Sequence, residues 1–173
     1  MFGGNKLDIT KLSCEFVVRF LTETDINAIY DLSITNSIYY QYCPPFVTKE
    51  SIIEDMRALP PNKTYKDKYY IGFFRHTKLV AILDLILDYP NSSTAFIGLF
   101  MLDKSDQGKG TGTSIINECF SYIETLGYSC VRLAFAKGNR QSEAFWKKNG
   151  FVEIGIESKK DTYTAVVMQK ELP

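Results

Sequence analysis

The chain has 173 residues, of which 45% are hydrophobic and 14% aromatic, a balance that suits one packed domain and excludes a disordered polar chain. Its 20 basic residues balance its 20 acidic ones, which argues against a broad basic face of the kind that binds nucleic acid. The four cysteines and the single histidine form no CxxC pair and no zinc-ligand spacing, and no apolar run approaches the roughly 18 residues a membrane span needs. A soluble, reduced, cytoplasmic protein without metal or membrane partner is the expectation.

In chain order, a polar leader is expected over residues 1–13 and a single domain over 14–173. Residues 14–21 ("CEFVVRFL") read as a strand. The stretch 22–36 follows as a helix, with Thr24 or Asp25 at its N-cap and Ile26, Ile29, Tyr30 and Leu32 on one face. Residues 37–46 are aromatic and close on a double proline, so a loop or broken helix is expected there. A second helix over 48–61 carries Thr48 and Ser51 as possible caps and stops at Pro60 and Pro61.

The apolar runs 68–76 and 78–89 read as a hairpin, and 95–102 as a third strand. A glycine-rich loop then enters a helix whose apolar positions, from Ile115 to Leu126, fall at helical spacing before a stop at Gly127. Residues 130–136 form another strand, 139–150 a short helix, and 152–158 with 163–172 a closing antiparallel pair. The order is β α α β β β α β α β β, a mixed α/β sheet centred on a strand–glycine loop–helix–strand unit. Its last strands offer an edge on which a homodimer is conceivable.

The loop "DQGKGTG" poses the functional question, because glycines at a helix entrance suggest close approach of a ligand to the backbone. A Walker A motif fails: Gly108-Lys109 is followed by Gly110, and Asp103 stands where the upstream glycine belongs. A dinucleotide fingerprint fails at Thr113, or at Ile115 in the alternative frame. What remains is Gln-x-x-Gly-x-Gly, formed by Gln107, Gly110 and Gly112 between a strand and an amphipathic helix. A glycine-rich turn that merely packs closely is the competing explanation.

This loop resembles the acyl-coenzyme A loop of the GNAT N-acetyltransferase superfamily, and "NRQSEAFWKKNGF" at 139–151 resembles the superfamily's second motif. The resemblance covers nearly the whole chain. It implies an acyl-CoA N-acyltransferase fold, in which strands 95–102 and 130–136 splay apart to admit pantetheine. It further implies acetyl-CoA as co-substrate and an amine acceptor, either a small molecule or a peptide.

By the same resemblance, Phe100, Met101 and Leu102 offer backbone groups to the pantetheine amides. Gln107, Gly108, Lys109, Gly110, Thr111, Gly112 and Thr113 hold the pyrophosphate. Asn139, with Ser142, contacts the pantetheine arm or acyl end, and Lys147 or Lys148 reaches the phosphates, unless these lysines only complement the helix C-terminus.

The catalytic pattern departs from the family's. Trp146 occupies the place where many members carry a tyrosine as acid, and an indole N–H is no proton source. Strand 95–102 carries no carboxylate to act as base. Asp84, which interrupts an apolar run, is either a substrate or base residue or a partnered structural carboxylate. Tyr39, Tyr40 and Tyr42 line the acceptor pocket or pack a loop, Tyr40 being the second catalytic candidate. His76 sits in a hairpin turn, where exposure is expected. An N-acetyltransferase working by direct transfer is the leading expectation, and a catalytically weak acetyl-CoA-binding sensor the alternative.

Overall fold

The computed structural model describes residues 7–173. Seven strands form one sheet in the order β1-β2-β3-β4-β5-β7-β6. They are β1 (Val17–Phe20), β2 (Lys68–Arg75), β3 (Lys78–Leu87), β4 (Thr94–Leu102), β5 (Cys130–Ala136), β6 (Val152–Lys159) and β7 (Thr164–Glu171). Among them β4 and β5 run parallel, and the other neighbours are antiparallel. This is the mixed, mostly antiparallel sheet that the element order predicts.

Five α-helices cover the sheet: α1 (Ile26–Ile34), α2 (Ser37–Tyr42), α3 (Lys49–Arg57), α4 (Thr111–Thr125) and α5 (Arg140–Lys148). The aromatic segment after α1 closes into the short α2, the broken helix that its composition allows. A reciprocal capping box between Thr48 and Ser51 starts α3. It ends at Arg57, short of the sequence expectation, because Pro60 and Pro61 bar its continuation and the backbone turns extended at Ala58.

Strand periodicity divides the apolar side chains between two cores. Ile71, Phe73, Leu83 and Leu85 point to the face covered by α4, where they meet Ile115, Ile116, Phe120 and Ile123. Tyr70, Ile82 and Met101 point to the other face and meet Ile29 and Leu32 of α1 and Ile52 of α3. Because β2 and β3 are covered on both sides, they read as nearly unbroken apolar runs.

The expected polar leader is shorter than its composition suggests. Its residues 1–6 lie outside the described range, but Leu7 and Leu12 are 1% and 0% exposed in the core. A 3₁₀ turn at Ile9–Leu12, capped by Asp8, presses them under α4. Glu118 of that helix accepts the Cys14 N–H at 2.7 Å. At the far edge, β6 exposes Val152 and Ile156 but pairs irregularly between Glu153 and Glu157, a feature that discourages extension of a sheet.

Leu12→Ala is expected to lower stability by about 2–5 kcal/mol, the range for emptying a leucine site in a packed core. Urea denaturation checks this, and a loss below about 0.5 kcal/mol would return the segment to the status of a leader.

Candidate active site

The parallel ladder between β4 and β5 runs from Thr94↔Cys130 to Ile97↔Leu133 and stops, although both strands continue. Beyond that point they diverge. Two cavities open in the gap, one of about 310 Å³ and one of about 400 Å³, sharing Tyr39, Phe100, Asn139, Ser142 and Trp146. Both fall within the size range of small-ligand sites.

The glycine loop closes one end of the 310 Å³ cavity. Gly108 and Gly110 hold φ of +71° and +84°, a left-handed backbone that other residues enter only with strain. Among the described residues, no hydrogen bond uses the main-chain N–H of Gly108, Lys109, Gly110, Thr111, Gly112 or Thr113. The first N–H taken up by α4 is that of Ser114, bonded to Gly110 O at 2.9 Å. The result is a concave set of donors at a helix N-terminus, fitted to an anion such as a pyrophosphate. Gly112 has a different reason: a Cβ there would stand 3.2 Å from the Phe145 ring, so this glycine lets α4 and α5 approach.

The side chains named from the sequence divide into several groups. Gln107 lines the cavity, yet its Nε2 donates to Asn36 Oδ1 at 2.8 Å and Leu102 O at 3.0 Å, and its own N–H bonds Lys104 O. It ties the loop to β4 and to the start of α2. Asn139 is buried and accepts the Ser142 N–H, capping α5, while its amide NH₂ has no partner among the described residues. Phe100, Met101, Leu102, Thr113, Ser142, Trp146 and Lys148 line the cavity, but Lys109 and Thr111 do not. Lys147 pairs with Glu143 and Glu153, which leaves Lys148 as the cavity's lysine. Asn36, Gln141 and Phe145 also contribute to the lining, and the sequence motifs do not point to them.

Trp146 is 6% exposed and packs edge-on against Phe100, Phe145 and Phe151. It shapes the wall between the cavities and supplies no acid. Of the tyrosine cluster, Tyr39 lines both cavities. Tyr40 turns toward Phe46 and the α1–α3 core, and so lines neither. Tyr42 is exposed, as is His76, which takes the turn of the β2–β3 hairpin at φ +56°.

Asp84 stands at the point where the splay begins. The β3–β4 register passes from Asp84↔Leu99 to Leu85↔Ile97, so Gly98 is the extra residue of a β-bulge. A Cβ at Gly98 would lie 2.8 Å from Asp84 Oδ2, and the carboxylate occupies that space. Lys68 Nζ donates to Asp84 Oδ2 at 2.8 Å, to Ala58 O at 2.9 Å and to Asp55 O at 3.1 Å. Its three donors are thereby used. Burial raises the Asp84 carboxyl above its ordinary range, with Lys68 opposing. Asp55 of α3 stands near this pair, and desolvation and then the Asp84 charge push it up to about 6.

The sequence of residues 34–151 matches the model of the acetyltransferase (GNAT) family. That is more than half of the chain, so the protein belongs to this family. No curated protein matches it in sequence. Among solved structures it resembles an acetyltransferase from Thermus thermophilus, with TM-score 0.71 and 18% identity over 90% of this chain and 96% of that one. A PaiA N-acetyltransferase from Thermoplasma acidophilum, solved with coenzyme A, gives 0.64 and 17% over 90% and 98%. The ribosomal-protein-S18-alanine N-acetyltransferase of Escherichia coli gives 0.62 and 14% over 89% and 92%. These likenesses agree on the fold.

Gly110→Val is expected to strain the loop and weaken coenzyme A binding by roughly tenfold or more, about 1.4 kcal/mol or above; isothermal calorimetry measures it, and unchanged affinity would refute the loop's role. Asp55 generates a pH prediction. Its folded-state pKa of about 6 exceeds the reference 3.8, so its charged form opposes folding; that penalty is absent below the reference value and complete above the folded one. Asp55→Asn is therefore expected to gain melting temperature relative to the parent as pH rises from about 4 to about 6, with Asp84, Lys68 and Glu54 the charges that face it.

Proposed function

We propose that the protein transfers an acetyl group from acetyl-coenzyme A to a primary amine by direct transfer in a ternary complex. The observation that carries this reading is the run of main-chain N–H groups from Gly108 to Thr113, unpaired among the described residues, at the glycine loop that lines the cavity where β4 and β5 part. When bound, acetyl-CoA supplies an activated thioester. Lys148 and the start of α4 provide the positive field for its phosphates. The Asn139 amide and the unpaired edge of β4 beyond Ile97 offer hydrogen bonds to an arm lying in the gap.

Transfer requires an amine nitrogen to bond the thioester carbon while the carbon–sulfur bond breaks. An ammonium acceptor gives up two protons overall, one ending on the thiol and one in solvent. A main-chain N–H of β4 at the bulge is suited to meet the developing oxyanion. Asp84 and Asp55 stand on the side of the bulge from which a proton can be taken. With Trp146 in the acid's place, the sulfur takes its proton from another group or from water, or leaves without one. No residue marks a covalent acyl intermediate.

Acetyl-CoA turnover, followed by thiol release against a panel of amines, amino acids and peptide N-termini, is expected to show activity with one acceptor class. Calorimetry on the same sample is expected to show coenzyme binding. The Trp146 replacement favours a second reading, a coenzyme-binding sensor. Binding without turnover across the panel would select it, and absence of binding would overturn both readings.

A further inference from the structure

A third cavity, of about 310 Å³, lies on the α1–α3 side of the bulge. Tyr39, Phe96, Gly98 and Leu99 line both this pocket and the 400 Å³ cavity of the splay, so the two adjoin around β4. Asp84 and Asp55 face it together with Lys68. The charge balance favours a cation: two carboxylates face one ammonium, and that ammonium has no donor left. Asp84 is 9% exposed, and its Oδ1, closed to solvent, accepts no hydrogen bond among the described residues, a costly state for a buried carboxylate oxygen. The Asp55 carboxylate, open at the rim, accepts none either.

The surrounding walls are aromatic. Tyr39 and Tyr70 line the acidic pocket, while Tyr89, Phe96, Phe135 and Tyr163 line the adjoining cavity. Ring faces favour a cation and an apolar body alike. The loops flanking that cavity meet, for Thr162 Oγ1 donates to Pro44 O at 3.0 Å beside the lining residues Cys43 and Tyr163. A loop bridge beside the adjoining cavity suits a small molecule better than an extended peptide.

We propose that this pocket holds the acceptor, and that the acceptor is a small primary amine on an apolar or aromatic body, its ammonium set between Asp84 and Asp55 and its body against the tyrosine and phenylalanine walls. The assignment rests on the acetyltransferase reading for the word acceptor, but the site binds the cation with or without coenzyme. At Asp84 the ammonium lies beside Gly98, where β4 leaves β5 and the thioester is to arrive. Its charge offsets the Asp55 carboxylate, to which Lys68 has no donor left to give.

Calorimetric titration with 2-phenylethylamine, 2-phenylethanol and a tripeptide with a free N-terminus tests this, each with and without saturating coenzyme A. The amine is expected to bind at least about tenfold more tightly than the alcohol of the same shape and than the peptide. Asp55→Asn and Asp84→Asn are each expected to remove most of that preference while leaving alcohol and coenzyme A affinities unchanged. The exposed Asp55 provides a variant that folds even if Asp84→Asn does not. Equal binding of amine and alcohol, tighter binding of the peptide, or an unaltered preference in Asp55→Asn would overturn the proposal. Amine binding without coenzyme binding would instead refute the acetyltransferase reading and leave the cation site standing.

Discussion

The site depends on the point where the β4–β5 ladder ends. Up to Ile97↔Leu133 the two strands satisfy each other's main-chain groups; one residue later the bulge at Gly98 turns β4 away. A sheet interior rarely leaves strand edges open, because unpaired N–H and C=O groups are costly when buried. Here the open edge faces cavities on both sides of Trp146. The helices that follow each strand then begin at the mouth of the gap, bringing the glycine loop and the Asn139 cap to the same place.

Around that gap the two faces of the sheet do different work. On the α4–α5 face the groups are donors: loop N–H groups, the Asn139 amide, the backbone of β4 and the Lys148 ammonium. On the α1–α3 face they are carboxylates, held in a pocket by a lysine whose own bonds are complete. Tyr39, projecting from α2, reaches the lining of every cavity described. Asn36, which precedes α2, is gripped by Gln107 of the glycine loop. The short helix that sequence patterning renders only as a loop or broken helix is thus the element that touches both sides.

The fold and the loop are legible in the sequence for physical reasons. Glycine, proline and strand periodicity are local signals, and they place the strands, α4 and the donor-rich turn. What stays hidden depends on register. Lys68 and Asp84 meet only because the hairpin turns at His76 and Thr77 and its register then shifts by one residue between Phe73 and Phe74, which sets Tyr70 opposite Asp84 and Lys68 one pleat away. Counting outward from that turn alone sets Asp84 opposite Tyr69, so the pair is not legible until the register shift is known. Asp55 comes from a separate helix, and no local pattern announces it. Gln107 is only half legible, because its position in the motif says nothing of its partner Asn36, distant along the chain. Leu7 and Leu12 pass for part of a polar leader because two leucines among polar neighbours carry no periodicity.

Asp84, Gly98 and Lys68 also constrain how this protein can change. A side chain at 98 collides with the carboxylate, so it becomes tolerable only after Asp84 is shortened or lost. Losing Asp84 strands the Lys68 ammonium, which is 4% exposed, and losing Lys68 strands the carboxylate; either deletion leaves an uncompensated buried charge. Each substitution is harmful alone and harmless only in company. Drift at these positions is therefore blocked one step at a time, and a descendant with a side chain on the bulge would have to be reached by simultaneous replacement or through a destabilised intermediate.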